Sequence, residues 1–194
     1  MTSAERTRVI LEQVGALRAG HFVLSSGLHS DRYCQCATLF RHPDLASEVA
    51  GLAKEEACDI ACDLVCAPAL GGVLWGYELA RALHLPSIFA ERQEGAFTLR
   101  RGFTIEPGQR VLLAEDVVTT GGSVMELVPL VERAGGSVAG IVSVVDRSKG
   151  SFNPGCPFVA LTTMEFTTYA PADCALCAQG VPTDKPGSRR GGSS

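Results

Sequence analysis

The chain has 194 residues, of which 46% are hydrophobic and 20% are charged, and this balance is typical of one globular domain with a closed core. Its net charge of -4 disfavours general binding to nucleic acid, which requires a basic face. No apolar run reaches the roughly 18 residues that a membrane span needs. The first stretch, MTSAERTRVILEQV, has charges inside its apolar pattern and no signal-peptide core. We therefore expect a cytoplasmic protein whose eight cysteines are reduced thiols.

The first part of the chain predicts two helices separated by an extended segment. Thr2 and Glu5 have the spacing of a capping box, and a helix is expected to begin there and to end at Gly20. The extended segment HFVLSSGLHSDRYCQC follows. Pro43 and Asp44 open the second helix, because proline suits a first turn and aspartate complements the helix dipole.

The rest of the chain alternates between apolar runs and helical patterns. Buried strands are predicted at DLVCAPA, PSIFAER, RVLLAEDVV, VAGIVSVVDR and PFVALTTM, and helices at GGVLWGYELARAL and SVMELVPLVERAGG. This alternation predicts an α/β fold with a mainly parallel sheet flanked by helices. Residues 92–109 are polar and glycine-rich, which is typical of a lid. From about Lys185 onward, the composition predicts a disordered tail.

The stretch VLLAEDVVTTGGSV, residues 111–124, contains the strongest functional signal. Glu115 and Asp116 end a predicted strand, and ligands of open α/β sheets bind at the carboxyl ends of strands. The loop that follows enters a predicted helix, whose free N–H groups and dipole suit a phosphate. Gly121 and Gly122 allow the backbone to approach a ligand closely. Hydroxyl donors in the same loop are Thr119, Thr120 and Ser123.

The acid pair and the loop together predict a sugar phosphate as the ligand. Carboxylates repel phosphate, so the pair suits a neutral polyol or a cation. The structural alternative is a capped strand-to-helix turn beside solvated acids, but the two features in this order favour binding. A Walker A loop and a dinucleotide fingerprint are both excluded, because neither Gly-Lys-Thr/Ser nor Gly-x-Gly-x-x-Gly is present in this stretch.

This stretch closely resembles the ribose-phosphate signature of type I phosphoribosyltransferases, which consists of an apolar run, two acids, two apolar residues and Thr-Thr-Gly-Gly-Ser. FVLSSGLHSDRY, residues 22–33, resembles the N-terminal segment of orotate phosphoribosyltransferases. PALGGVLWGYELAR (68–81) looks like their pyrophosphate loop, and FAERQEGAFTLRRGF (89–103) like their mobile catalytic loop. DRSKG (146–150) places Arg147 where that family has a base-binding arginine. The ending YAPADCALCAQGVPTDKPGS is similar to that of one bacterial branch, so the resemblance extends from Phe22 to Ser188.

The resemblance implies a pentosyltransferase that converts orotate and phosphoribosyl pyrophosphate to orotidine 5'-phosphate and pyrophosphate, a step of de novo pyrimidine (UMP) synthesis. It implies Mg²⁺ as the cofactor and a homodimer as the assembly. It also implies one phosphoribosyltransferase domain over residues 1–188, with a hood formed by parts of 1–40 and 150–188. Residues 189–194 are expected to form a disordered tail.

The resemblance also assigns roles to individual residues. Glu115 and Asp116 are expected to hold the ribose hydroxyls and to favour positive charge on the ribose ring in the transition state. Arg147 is expected to pair with the orotate carboxylate. The remaining substrate-binding residues implied are Thr119, Thr120, Gly121, Gly122, Ser123, Ser26, Gly27, Tyr33, Ala69, Leu70 and Gly71.

The chain departs from the family pattern at its cations. Many members have lysines where Ser25 and Gly71 stand here, and residues 92–103 contain neither the familiar lysine nor the histidine. We expect arginines to neutralise the pyrophosphate instead, with loop residues reaching the neighbouring subunit. The candidate catalytic arginines are Arg92, Arg100 and Arg101.

Cys174 and Cys177 in CALC have the spacing of metal ligands, but a structural zinc site needs four ligands. Burial as small hydrophobic side chains is the simpler interpretation for most of the cysteines. For His21 and His29, binding to a metal or a substrate is an alternative to ordinary hydrogen bonds. The cysteines considered as zinc partners are Cys156 together with Cys58, Cys62 or Cys66.

Two other functions fit parts of the sequence. A purine phosphoribosyltransferase would share the phosphate loop, but a purine has no carboxylate to pair with Arg147. A non-catalytic sensor of phosphoribosyl pyrophosphate that regulates transcription would keep the loop and lose the cations. Such a sensor needs a nucleic-acid surface, and the sequence shows no basic stripe or DNA-binding helix pair.

Overall fold

The computed structural model describes residues 1–24 and 26–186. The α-helices are α1 (Ser3–Gln13), α2 (Pro43–Glu56), α3 (Gly71–Leu83), α4 (Gly122–Met125), α5 (Val128–Arg133) and α6 (Ala175–Ala178). The strands are β1 (Leu17–Val23), β2 (His29–Cys34), β3 (Leu64–Pro68), β4 (Ser87–Gln93), β5 (Ala96–Leu99), β6 (Arg110–Val118), β7 (Ser137–Asp146), β8 (Phe158–Thr163) and β9 (Thr168–Tyr169). Short 3-10 helices cover Cys36–Arg41 and Pro171–Asp173.

A six-stranded sheet in the order β5-β4-β3-β6-β7-β8 forms the centre of the molecule. All neighbouring strands are parallel except β5, which pairs with β4 in the antiparallel sense. Parallel strands are covered on both faces and therefore read as continuous apolar runs, which is why the five predicted strands correspond to β3, β4, β6, β7 and β8. The predicted α/β class with a mainly parallel sheet is confirmed.

The two faces of this sheet bury separate cores. Helices α1, α2 and α3 cover one face, where Trp75 is fully buried and donates its indole N–H to the Val142 carbonyl at 3.2 Å. The segment from β5 to α5 covers the other face, with Leu127 and Val131 fully buried. Among the described residues, no helix is long and apolar enough to cross a membrane.

A second, antiparallel sheet consists of β1, β2 and β9. It joins the start of the chain to its last described part, because β9 pairs with β2 and Asp184 bridges to Phe22 in β1. Arg18 adds an ion pair to Asp184 at 2.9 Å. The predicted extended segment after α1 is thus confirmed as a hairpin, whose strands lie beside a segment more than 130 residues away.

The first helix begins as predicted but ends earlier. The capping box is present, since Glu5 N–H donates to Thr2 Oγ1 at 3.2 Å and Thr2 N–H donates to Glu5 Oε2 at 2.8 Å. The predicted end at Gly20 is wrong, because Gly20 lies in β1. Gly15 instead adopts φ +70 after the last turn, and Ala16 N–H donates to the Leu11 carbonyl, which closes a Schellman motif.

Two further predictions need correction. The single helix predicted after residue 122 is two short helices, α4 and α5, because Pro129 has no N–H to donate to the preceding turn. The predicted irregular excursion over residues 92–109 begins with a regular hairpin, in which β4 and β5 pair around a turn at Glu94 and Gly95. Residues 187–194, which contain most of the predicted tail, lie outside the described residues.

Candidate active site

The acid pair lies in β6, the strand at the centre of the large sheet. The bounds of β6 agree with the predicted strand RVLLAEDVV, and Glu115 and Asp116 lie just before its last two residues, Val117 and Val118, which still pair with β7. Glu115 is 8% exposed, and burial and the neighbouring Asp116 raise its pKa to about 8. Burial also raises the pKa of Asp116. Two buried carboxylates without a cation repel each other, so this place is suited to hydroxyl donors or to a cation.

The loop after β6 forms a concavity against Glu115. Gly121 has φ +76, and a Cβ atom there would overlap the ring of Phe152, so only glycine fits. Gly122 N–H donates weakly to Thr120 Oγ1 at 3.4 Å, which leaves most donors of the loop open. The residues that line the concavity are Glu115, Val117, Val118, Thr119, Thr120, Gly121, Gly122 and Ser123.

The groups that this loop can offer to an anion differ from the expectation. The helix that follows has only four residues, and a helix that short has a small macrodipole. Backbone N–H groups and the exposed hydroxyls of Thr119, Thr120 and Ser123 are therefore the main donors for a phosphate. The five predicted loop residues do share one concavity with Glu115.

The loop between β3 and α3 lies on the other side of the acid pair. A Cβ atom at Gly71 would be 3.1 Å from Asp116 Oδ1. The Ala69 N–H donates to the Ala90 carbonyl at 2.8 Å, the Ala69–Leu70 peptide bond is cis, and Leu70 is 82% exposed. The structure thus brings predicted residues 69–71 next to the acid pair.

Arg147 reaches the same edge of the sheet from β7. Its backbone N–H donates to the Val118 carbonyl at 2.7 Å, and its guanidinium lies 4.4 Å from the ring centre of Phe166. Burial lowers the pKa of Arg147, while the nearby Cys34 and Tyr33 oppose this effect. Its Nε is buried without a hydrogen-bond partner, and no carboxylate of the described residues forms an ion pair with it. A half-buried guanidinium without an acidic partner is suited to pair with an anion.

The predicted site residues of the β1–β2 hairpin lie in two places, Tyr33 in strand β2 and Ser26 and Gly27 in the turn. Tyr33 raises the pKa of Arg147 slightly by its charge, and its hydroxyl donates to Gln35 Oε1 at 2.7 Å. Ser26 and Gly27 form the exposed turn of the hairpin, where Gly27 has φ +81. The predicted departure at Ser25 lies outside the described residues.

The three candidate arginines are not equivalent. Arg92 lies in β4 and forms a two-bonded ion pair with Glu126 at 2.8 Å, and Arg101 forms one with Glu91 at 2.9 Å. Arg100 is exposed and, in the part of the chain that the structure describes, has no carboxylate within ion-pair distance. Arg92 and Arg101 would have to leave these glutamates in order to bind a phosphate.

Sequence reasoning missed several residues that shape the site. Phe152 packs against Gly121, and Phe166 lies under the guanidinium of Arg147. Asp146 is buried and accepts the Ser148 N–H at 2.7 Å, which fixes the turn after β7. An aromatic residue in a loop does not by itself indicate a functional site in the sequence, because tertiary packing decides which residue it contacts.

Comparison with known proteins places this geometry in a family. The family model described as a phosphoribosyl transferase domain matches residues 35–172. The orotate phosphoribosyltransferase of Pelotomaculum thermopropionicum is 52% identical over 93% of this chain and 95% of its own length. That of Thermotoga maritima is 48% identical over 93% of this chain and 96% of its own. The crystal structure of orotate phosphoribosyltransferase from Aeropyrum pernix has a TM-score of 0.71 at 27% identity, covering 81% of this chain and 93% of that one.

This level of similarity extends over nearly the whole chain. The resemblance noted at residues 22–188 is thereby confirmed, and the chain belongs to the orotate phosphoribosyltransferase family.

Proposed function

We propose that this protein transfers the ribose 5-phosphate group of phosphoribosyl pyrophosphate to orotate, giving orotidine 5'-phosphate and pyrophosphate. The observation that carries the proposal is the position of Arg147. Its side chain is half-buried, its Nε is buried without a hydrogen-bond partner, and its backbone N–H donates to the Val118 carbonyl just before residues 119–123. A base with a carboxylate satisfies this guanidinium, whereas a purine leaves it without an anion.

In this proposal the loop of residues 119–123 holds the 5'-phosphate. Its glycines keep the backbone close to the ligand, and its exposed hydroxyls and N–H groups donate to the phosphate oxygens. Because the loop starts directly from β6, the ribose that carries the phosphate lies above Glu115 and Asp116. The geometry therefore positions the sugar before any chemistry takes place.

The acid pair has two roles in the proposed reaction. Burial, and then the charge of Asp116, raise the pKa of Glu115 in the ligand-free site, and hydroxyl donors of the ribose offset both by hydrogen-bonding to the ionised carboxylate. As pyrophosphate leaves, positive charge develops on the ribose ring, and the two carboxylates, already held in place by β6, stabilise that charge. This stabilisation is greater in the transition state than in the ground state, so it raises kcat.

We include Mg²⁺ in the proposal, carried by the substrate. The donor set suits it: carboxylate oxygens are ligands that magnesium accepts, and the buried pair is stabilised by a divalent cation. When bound, the ion supplies neutralisation of the pyrophosphate charge. Asp116, beside Gly71, is the residue of this chain placed to orient it.

The remaining pyrophosphate charge is assigned to the arginines of residues 92–101. Arg100 is available in the ligand-free protein, and Arg92 and Arg101 become available when their ion pairs with Glu126 and Glu91 open. Exposed ion pairs of this kind contribute only about 0–1 kcal/mol. Their exchange for a polyphosphate is therefore energetically accessible.

We also propose that the protein works as a homodimer. Leu70, Leu74 and Tyr77 are 82%, 54% and 59% exposed, and they follow one another at helical spacing on α3. An exposed apolar stripe of this kind is typical of an interface. It begins at residues 69–71, so a partner subunit there would lie next to the site. We further propose that the sheet of β1, β2 and β9 is the predicted hood.

Cytoplasmic location remains part of the proposal. All eight cysteines lie within the described residues and all are free thiols, which agrees with a reducing compartment.

The test of function follows the absorbance of orotate after phosphoribosyl pyrophosphate and Mg²⁺ are added to the purified protein, with adenine, hypoxanthine and uracil in parallel. Turnover with orotate alone is the expected result. Turnover with a purine but not with orotate would overturn the proposal. Binding of phosphoribosyl pyrophosphate without turnover of any base would favour the sensor.

Arg147→Met tests the residue that carries the argument. Methionine keeps an apolar stem over Phe166 and removes the charge, so KM for orotate is expected to rise about 10–100-fold, the loss of one charged hydrogen-bonded contact. KM for phosphoribosyl pyrophosphate is expected to change little. Arg133→Met, at the exposed end of α5, is the matched control. An unchanged KM for orotate in Arg147→Met would show that the base binds elsewhere.

A further inference from the structure

Four potential metal ligands meet at the second sheet, outside the proposed active site. His21 comes from β1, His29 from β2, and Cys174 and Cys177 from the start and the third residue of α6. One ligand atom from each lies within 4.8 Å of all the others. Both histidines and Cys174 are buried, and Cys177 is exposed.

The distances within this cluster are short. His21 Nε2 lies 2.8 Å from His29 Nδ1, 3.4 Å from Cys174 Sγ and 3.7 Å from Cys177 Sγ. Cys177 Sγ lies 3.3 Å from His29 Nδ1. Tetrahedral zinc with its usual bond lengths separates its ligand atoms by about 3.3–3.8 Å. Three of these four separations are close to the tetrahedral range, and the His21–His29 distance has to lengthen by about half an ångström. The other two separations in the cluster are at most 4.8 Å, so the ion has to draw these ligands inward by no more than about 1.5 Å.

Hydrogen bonding alone does not account for this arrangement. His21 Nδ1 lies 2.8 Å from the Val181 carbonyl, which can only accept, so Nδ1 carries the hydrogen and Nε2 presents a single lone pair. That lone pair accepts one hydrogen, yet three groups surround it within 3.7 Å. Lone pairs that converge from four sides are satisfied together by one cation at their centre.

The surroundings of His21 are those of a metal ligand. A ligating histidine commonly donates its second ring N–H to a backbone carbonyl, which fixes both the tautomer and the ring orientation. The Val181 carbonyl does this for His21. Two thiolates and two neutral imidazoles balance the charge of a divalent ion, and a tetrahedral sulfur and nitrogen set favours zinc.

We propose that His21, His29, Cys174 and Cys177 bind one structural Zn²⁺ ion. Four protein ligands fill the coordination sphere and leave no open position, so the ion has no catalytic role. This replaces the cysteine partners considered from the sequence: within the described residues, the cluster that contains Cys174 and Cys177 includes no third cysteine. The interpretation of His21 and His29 as ordinary hydrogen-bonding residues is replaced as well.

The ion ties the N-terminal hairpin to the last described segment of the chain. Without it, this junction depends on short contacts: a two-residue ladder between β2 and β9, the Asp184 bridge to β1, an exposed ion pair, and hydrogen bonds from Ser30 and His21 to the Thr167 and Val181 carbonyls. The same hairpin includes Tyr33, one of the predicted substrate-binding residues. Zinc therefore stabilises the sheet that carries Tyr33. The proposal of a zinc site does not depend on the proposed transferase activity.

The first test measures metal bound to the wild-type protein, expressed with zinc and purified under reducing conditions without Mg²⁺ or substrates. Elemental analysis is expected to find one zinc per chain. A strong chelator should lower Tm by roughly 10 °C, because a structural zinc contributes directly to folding. Cobalt in its place should show the visible bands of a tetrahedral site and a thiolate charge-transfer band.

The second test uses matched cysteine variants. Cys177→Ser removes an exposed ligand and should abolish stoichiometric zinc, whereas Cys58→Ser, at an exposed cysteine outside the cluster, should retain it. The proposal is overturned if the wild-type protein binds no zinc, if Cys177→Ser binds as much as wild type, or if Cys174 and Cys177 form a disulfide in the purified protein. These readouts do not use turnover, so they fail or succeed independently of the proposed activity.

Discussion

The close approach of α3 to the sheet can be tested with one substitution made at two glycines. A Cβ atom at Gly72 would lie 2.9 Å from the Ala114 carbonyl oxygen, 3.1 Å from Pro68 Cδ and 3.3 Å from Ala67 Cβ. At Gly51, in the middle of α2, a Cβ atom would meet nothing within 4 Å. The same added methyl group should therefore have opposite effects at the two positions.

The magnitudes follow from packing and helix propensity. Optimal carbon contacts are about 3.5–4.0 Å, so Gly72→Ala must push α3 outward by about half an ångström, and the nearest atom is a backbone oxygen that cannot rotate away. Overpacking costs about 1–3 kcal/mol, and alanine's better helix propensity offsets up to about 1 kcal/mol. A net loss of about 1–2 kcal/mol lowers Tm by about 2–8 °C for a chain of this size. Gly51→Ala should raise Tm by about 1–4 °C.

The assay is thermal unfolding followed by circular dichroism, together with turnover of orotate. Gly72 follows Gly71, and Ala114 precedes Glu115, so an outward shift of α3 separates the residue 69–71 loop from the acid pair. We therefore expect kcat to fall in Gly72→Ala and to stay unchanged in Gly51→Ala. If both variants raised Tm by the same amount, α3 would not lie against β6 as described.

Two further predictions concern the acid pair and the assembly. The folded protein holds the pKa of Glu115 at about 8, above its ordinary 4.5, so its contribution to stability is full below about pH 4.5 and lost as pH rises through about 8. Glu115→Gln should flatten the fall of ligand-free Tm across that range, and parallel curves for the two proteins would contradict the buried pair. Leu74→Glu should convert a dimer to a monomer in light scattering, because it charges the exposed stripe of α3. Val9→Glu, at an exposed apolar residue of α1, should leave the mass unchanged, and a dimer in both variants would place the interface elsewhere.

The sequence alone determined the features that depend on neighbours in the chain. The start of α1 was predictable from Thr2 and Glu5, because a capping box is a contact between residues three apart. The five parallel strands were predictable because strands buried on both faces read as apolar runs. The shared concavity of residues 119–123 was predictable because Gly121 and its neighbours form one continuous segment.

Local patterns failed where a competing local rule was overlooked. The first helix ends at Gln13, because Gly15, five residues before the predicted stop, is left-handed and closes a Schellman motif. The helix after the phosphate loop is interrupted at Pro129. Both signals were present in the sequence and were weighed less than the apolar periodicity around them.

Only the tertiary structure decided which distant residues meet. Arg92 is paired with Glu126, 34 residues away, whereas Arg147 is left with a buried, unpaired Nε. His21 is brought to Cys174, 153 residues away. Nothing local distinguishes a paired arginine from a free one, or a ligating histidine from a hydrogen-bonded one. Their chemistry depends on burial and on partners supplied by other elements, and these exist only once the sheets have formed.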